Sequence, residues 1–321
     1  PSSLVLQFYI APELQPEVSA VLGGDYMLGE PIPIPQGFNV NDPLSNVAIG
    51  NDLKTRTAAL SYLTAGLTFS LLGRSKEALA IFQTAEKALP DWQDNADSGK
   101  EILYYFISRE ALFLKEDKAA ETAARKALAI KPNYVRAQIV LGSIYALRAQ
   151  RLPPEAQLKA PSDLAQALTA YAQAVDMANQ AHDRLMQSVA QLALASALRS
   201  EAQVYYVTKD VAKANATYAK AIAGLQQVIP ALTTAQQYRL LGQAYAYLGI
   251  ASFQQADVYR QQGNAAGQKQ QLEQARTAFT NCSEQAKKAP LDQILKTEII
   301  DKVCQPQQTN VENALRQVAG G

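Results

Sequence analysis

The sequence is poor in the side chains that carry out reactions. Its 321 residues include one histidine (His182), two cysteines (Cys282 and Cys304) and one tryptophan (Trp92). Metal centres and nucleophile–base pairs are built from clusters of His, Cys and carboxylates, and His182 has no second His or Cys within ligand spacing. No catalytic residue, metal ligand or cofactor is therefore expected. Charge of one sign is also missing. The chain carries 30 basic against 29 acidic residues, a net charge of +1. Such a chain has no long-range field to recruit nucleic acid or an anionic bilayer, and no Lys/Arg run makes a local patch. Apolar stretches are interrupted by charges or Gln within about a dozen residues, so no transmembrane segment is expected. The pairs Gly23–Gly24 and Glu116–Asp117 read as turns, since no phosphate-binding glycine pattern follows the first and the second falls between helices.

Proline is scarce over most of the chain and concentrated at its start. Seven of the 15 prolines fall in the first 43 residues. Residues 1–50 read as an extended, proline-rich arm. Within it Leu4–Ile10 has the β-branched and aromatic character of a strand, and Pro31–Pro35 must be extended. A lone strand makes no sheet, so the arm either lies on the body of the protein or is the tail of a further domain. From about Asp52 the texture changes to Ala, Leu, Gln and Tyr, with apolar residues at three- and four-residue spacing, which is the amphipathic-helix signal. Breaks at Gly73, Pro90, Pro132, Pro153–Pro154, Pro161, Pro230, Gly263 and Pro290 delimit helices in pairs. The expected pairs are 53–73 with 75–89, 98–115 with 117–130, 133–150 with 162–179, 181–208 with 210–229, and 232–262 with 265–289. Residues 51–290 form this helical body, and 291–321 form a terminal capping pair.

The pairs are self-similar. Counting from Ala59, Tyr62, Ala65, Gly66, Phe69, Ala78, Phe82, Ala85 and Pro90 occupy fixed positions of a 34-residue unit. Tyr104, Ile107, Ala111, Ala120, Ala124, Ala127 and Pro132 repeat them from Glu101. Leu141, Gly142, Tyr145, Ala167, Tyr171 and Ala174 repeat them again from Val135, after an insertion. This pattern resembles the tetratricopeptide repeat family. Later the period lengthens, with Ala202–Tyr205 returning as Ala256–Tyr259. The longer period is read as first helices of 28–31 residues, the last running unbroken through Gly249. The resemblance implies an all-α, right-handed superhelix, because each helical pair has an apolar face that only stacking can bury.

The resemblance also implies where partners bind. Inward-facing positions of the first helices hold Leu60, Leu63, Leu67 and Leu71, then Ile102, Tyr105, Arg109, Leu112 and Phe113. The third unit contributes Arg136, Ile139 and Leu147, and the fourth Arg199, Gln203 and Tyr206. An apolar trough with three arginines suits a protein or peptide that brings apolar anchors and a carboxylate. A leucine stripe is also what interior packing looks like, and the segment 20–45 is a candidate to cover Leu60, Leu63 and Leu67. The clamp by which tetratricopeptide co-chaperones grip a C-terminal carboxylate is not matched, since Leu63, Leu67, Phe106 and Val140 replace its polar residues. The expected function is a non-catalytic interaction scaffold; the alternative is a regulatory or assembly appendage of a larger signalling or envelope protein. The eight glutamines from Gln254 to Gln274 read as a solvated face, or as a homo-oligomer contact. Low charge density with Tyr and Gln richness leans toward a location outside the cytoplasm. If residues 265–303 fold back at Pro290, Cys304 lies seven residues out of step with Cys282, which favours free thiols; a crossed terminal helix is the alternative that would close a disulfide.

Overall fold

The computed structural model describes residues 3–9, 27–34, 36, 41, 43–95, 98–159, 161–289 and 296–319. The Gly23–Gly24 turn, Pro290 and most of the segment 20–45 lie outside them. Two short strands come first, β1 (Ser3–Leu4) and β2 (Ile32–Pro33), and α-helices follow. These are α1 (Pro43–Leu71), α2 (Ser75–Ala88), α3 (Lys100–Phe113), α4 (Asp117–Ile130), α5 (Val135–Ala149), the single turn α6 (Pro154–Gln157), α7 (Asp163–Gln180), α8 (Arg184–Val207), α9 (Val211–Thr234), α10 (Tyr238–Gln261) and α11 (Ala265–Ala286). A π-helical segment, Lys296–Cys304, leads directly into α12 (Gln305–Ala319). Among the described residues the protein is all-α apart from the two strands. It divides into two compact units, with the boundary between Ile144 and Tyr145 inside α5.

In the first unit α1 packs on α2, α2 on α3 and α3 on α4. The small and large positions of the repeat do what their chemistry requires. A Cβ at Gly66 would lie 2.2 Å from the Phe82 ring, so only glycine lets α1 and α2 approach this closely. Phe82 is fully buried and stacks on Phe106, with ring centroids 5.3 Å apart. One repeat later the Gly66 position is Ser108, whose hydroxyl donates to the Ala120 carbonyl at 2.7 Å and so satisfies itself at the helix–helix contact. Trp92 fills the α2–α3 connection, buried, with its indole N–H donating to the Ser98 carbonyl at 2.9 Å.

The described residues of the arm belong to the same unit. β1 pairs antiparallel with β2, Ser3 opposite Pro33 and Leu4 opposite Ile32, and Gln7 bridges Met27. The expected lone strand therefore finds its partner among the alternating prolines. It is shorter than expected because those prolines supply few N–H donors. Arg56 holds this ribbon down, donating to the carbonyls of Leu28 (3.3 Å) and Glu30 (2.5 Å), and Leu28 is fully buried. Helix α1 begins at Pro43, upstream of the expected start, with proline in the first turn where its missing N–H costs nothing.

In the second unit α7 packs on α8, α8 on α9, α9 on α10 and α10 on α11. Here the sequence reading needs three corrections. Helices α8, α9 and α10 each have 24 residues and α11 has 22, so the longer period is divided between both helices of a pair rather than added to the first. Pro230 does not end its helix. Burial of Val228 and Leu232 carries α9 past the missing N–H to Thr234, and the expected helix 232–262 instead starts at Tyr238. Gly249 is no break either. It is the counterpart of Gly66, since a Cβ there would lie 2.7 Å from the Phe279 ring.

The third correction concerns the cysteines. Cys282 and Cys304 form a disulfide, with Cα atoms 6.0 Å apart. The expected misfit assumed a tight reversal at Pro290. The observed register instead places Cys304 beside Cys282 and Gln308 beside Thr280. Ile299, Ile300 and Cys304 then pack on Ala246, Cys282 and Ala286.

Six inter-helix turns share one closure. The N–H groups of Arg74, Glu116, Asp183, Asp210, Gln237 and Asn264 donate to the carbonyls of Phe69, Ala111, Ala178, Tyr205, Leu232 and Tyr259, at 2.8–3.0 Å. In each turn the preceding residue has a positive φ: Gly73, Lys115, His182, Lys209, Gln236 and Gly263, between 53° and 72°. This is the Schellman closure, which satisfies the last carbonyls of a helix while reversing the chain. His182 is thus a turn residue. Its neighbour Asp183 caps α8 by accepting from the Met186 N–H at 2.9 Å.

Candidate partner-binding face

The residues expected to line a groove fall into two groups, one in each compact unit. In the first unit Leu63, Leu67 and Tyr105 are buried and unavailable to a partner, so these three serve as core. Tyr105 sits against Phe106 and, edge-on, against Tyr134. Leu71 and Phe113 are open, and Arg109, Arg136 and Ile139 are half-buried.

The open residues share one repeat position. Leu71, Phe113 and Leu147 hold the thirteenth position of their units, and Val207 holds it in the fourth; their exposures are 51%, 57%, 37% and 42%. Each is at or within two residues of the end of its first helix (α1, α3, α5 and α8). Val207 escaped the sequence reading because the lengthened period obscures its register. The recurrence, once aligned, was the signal that could have found it.

Around Arg109 the first unit builds a hydrogen-bonded cluster that engages one oxygen of Glu110 and leaves Oε2 buried without a partner. The guanidinium donates to Ser70 Oγ at 3.1 Å, lies 3.4 Å from Glu110 Oε1 and covers the Phe113 ring at 5.2 Å from its centroid. Ser70 in turn donates to Glu110 at 2.7 Å. None of the Glu110 side chain is exposed. Arg109 is therefore spoken for by a carboxylate that sequence reasoning passed over, because a lone acid beside an arginine on a helix looks like an ordinary surface residue. Arg136, the other arginine of this unit, lies over Tyr134 at 6.0 Å from the ring centroid.

In the second unit Arg199, Gln203 and Tyr206 follow one another on α8 at four- and three-residue spacing; Arg199 and Tyr206 reach α10, and Gln203 reaches α9. Tyr206 donates to Asp257 and accepts from Gln261, while Asp257 also pairs with Arg260. Burial first, then the Asp257 carboxylate, push the Tyr206 hydroxyl up to about 12. Gln203 accepts from the Tyr218 hydroxyl at 2.8 Å. Arg199 has only long bonds, to Gln254 Oε1 and Ser200 Oγ, both at 3.4 Å, and its Nε is buried without a partner. Burial lowers its pKa, and the neighbours that act against this are the hydroxyls of Tyr247 and Tyr218 rather than any carboxylate.

Among the described residues no group of three His, Cys, Asp or Glu side chains is placed to hold a metal ion. No described helix is long and apolar enough to cross a membrane.

What marks the repeat in this chain is its own packing, with Gly66 under Phe82, Gly249 under Phe279 and consecutive helices in contact. No family model matches the chain, and no curated protein matches it significantly. Among solved structures, the chain is similar to a thermophilic TPR protein from Thermus thermophilus, at 20% identity over 75% of this chain and 97% of that one, with a TM-score of 0.46. It is also similar to PilW, a widely conserved type IV pilus biogenesis factor, at 13% identity over 81% of this chain and 93% of that one, with a TM-score of 0.43.

Proposed function

We propose that the chain is a non-catalytic scaffold that binds a protein or peptide through the ends of its first helices. The observation supporting this is the recurrence of an open apolar side chain, Leu71, Phe113, Leu147 and Val207, at one repeat position. Large apolar groups left in water at a repeated place are costly for a solitary protein and useful for one that docks. Arg109 stacked on Phe113 adds the arginine–aromatic combination that interfaces favour.

The test is selection of binding peptides from a displayed library, followed by calorimetry with Leu71→Ser and Phe113→Ser. Both side chains are open, so the variants keep the melting temperature. The reading expects peptides with apolar anchors and an affinity loss of about tenfold or more for each variant. Failure to select any peptide, or binding by both variants as tight as by the wild type, would overturn it.

A further inference from the structure

Arg199 is a positive charge put away without its opposite. It lies between α8, α9 and α10, with Tyr218 and Tyr247 beside it. Among the described residues its bonds are two long ones to neutral oxygens, on Gln254 and Ser200, and its Nε has none. The acid on the facing helix, Asp257, is already engaged by Tyr206 and Arg260. Arg109 shows how this protein treats such a group when no ligand is needed, by burying a carboxylate next to it. A largely desolvated guanidinium without a counter-charge is unfavourable, and well-packed apolar side chains would do better in its place. The arrangement makes sense if the missing charge arrives from outside.

We infer that Arg199 is the anchor of a binding site for a carboxylate, supplied by an acidic side chain of the partner. The charge selects the ligand. A guanidinium matches a carboxylate as a planar fork, and one positive charge neutralises one negative. Among the described residues no second Lys or Arg acts on Arg199, so a dianion such as phosphate would leave excess negative charge in a half-buried place. The long bonds to Gln254 and Ser200 are the ones the carboxylate replaces, and both groups can turn to donate to it. The inference deepens the reading of the chain as a scaffold by naming the chemistry of one contact, and its test does not require a partner to be known.

The experiment follows thermal unfolding of the whole chain in sodium acetate, sodium phosphate and sodium chloride at equal ionic strength. The variants are Arg199→Met and, should that not fold, Arg199→Gln. At an acetate concentration near ten times its dissociation constant, the wild type should melt about 3 °C higher than in chloride, and phosphate should give less. In either variant the acetate advantage should disappear. An equal acetate shift in wild type and variant, no shift in wild type, or a larger shift with phosphate would each overturn the assignment. A scaffold that selects peptides yet shows no acetate effect loses this site alone; an acetate effect without peptide selection leaves the site and removes the scaffold.

Discussion

The two compact units solve the same packing problem with different rod lengths and opposite treatments of charge. In the first, α2, α3 and α4 have 14 residues each, and the guanidinium on α3 is balanced inside the unit by Glu110. In the second, α8 to α10 have 24 residues, the guanidinium on α8 has no acid, and a disulfide ties the last helices together. The first unit also has its own local fits, with Gly66 of the 29-residue α1 under Phe82, Trp92 in its loop and Arg56 on the arm. Long rods gain more from stacking, and a unit so built tolerates an unbalanced charge at a position where a partner can supply the other.

Several measurements would break or sharpen this contrast. The largest effect belongs to the disulfide. Its partners are 22 residues apart, and losing the cross-link through Cys282→Ser with Cys304→Ser, or by reduction, should cost about 3 kcal/mol, read as denaturant stability of the second unit. If reduction leaves the unfolding curve unchanged, the long rods need no tie. Next comes Glu110→Gln, which strips a buried partner from Arg109 and Ser70 and should cost about 2 kcal/mol. The same chemistry at the other arginine should run the opposite way. Arg199→Met in chloride buffer should gain about 1 kcal/mol, because it removes an unbalanced charge. Equal losses at both sites would show that the two guanidinium groups are held alike. Gly66→Ala and Gly249→Ala should each cost about 1 to 2 kcal/mol by forcing Phe82 or Phe279 aside, with Gly66 the worse because its contact is closer. Smallest is the relief of the left-handed turns. Lys115→Gly in the first unit and Lys209→Gly in the second should each raise stability by about 0.5 kcal/mol, measured as paired shifts in melting temperature.

Much of the first unit was readable because its period is regular. Gly66, Ala78 and Phe82 fall where the repeat requires, and they pack there. The second unit was harder because the landmarks moved apart. Gly249 and Phe279 are 30 residues apart where Gly66 and Phe82 are 16, so the glycine that the helix was expected to run through was not paired with its aromatic partner. Pro230 misled for a different reason. The breaker rule prices one missing hydrogen bond, whereas burial of the flanking Val228 and Leu232 outweighs it. The disulfide depends on where the chain reverses, and a fold-back assumed to be one turn long left the two cysteines out of register. Of the candidate site, the identities of Arg109 and Arg199 were legible from their repeat positions. Their difference was not, since the presence of Glu110 beside one and the absence of an acid beside the other are facts of three dimensions.

The six hairpin pivots have a last consequence. Each is closed by main-chain atoms, and Gly, Lys, His and Gln all occupy the left-handed seat. A reversal that asks so little of its side chains leaves rod length as the free variable. Adding matched residues to the two arms of a pair enlarges the module while its hinge is copied unchanged, which offers a physical route by which one chain carries both a short-armed and a long-armed version of a single building plan.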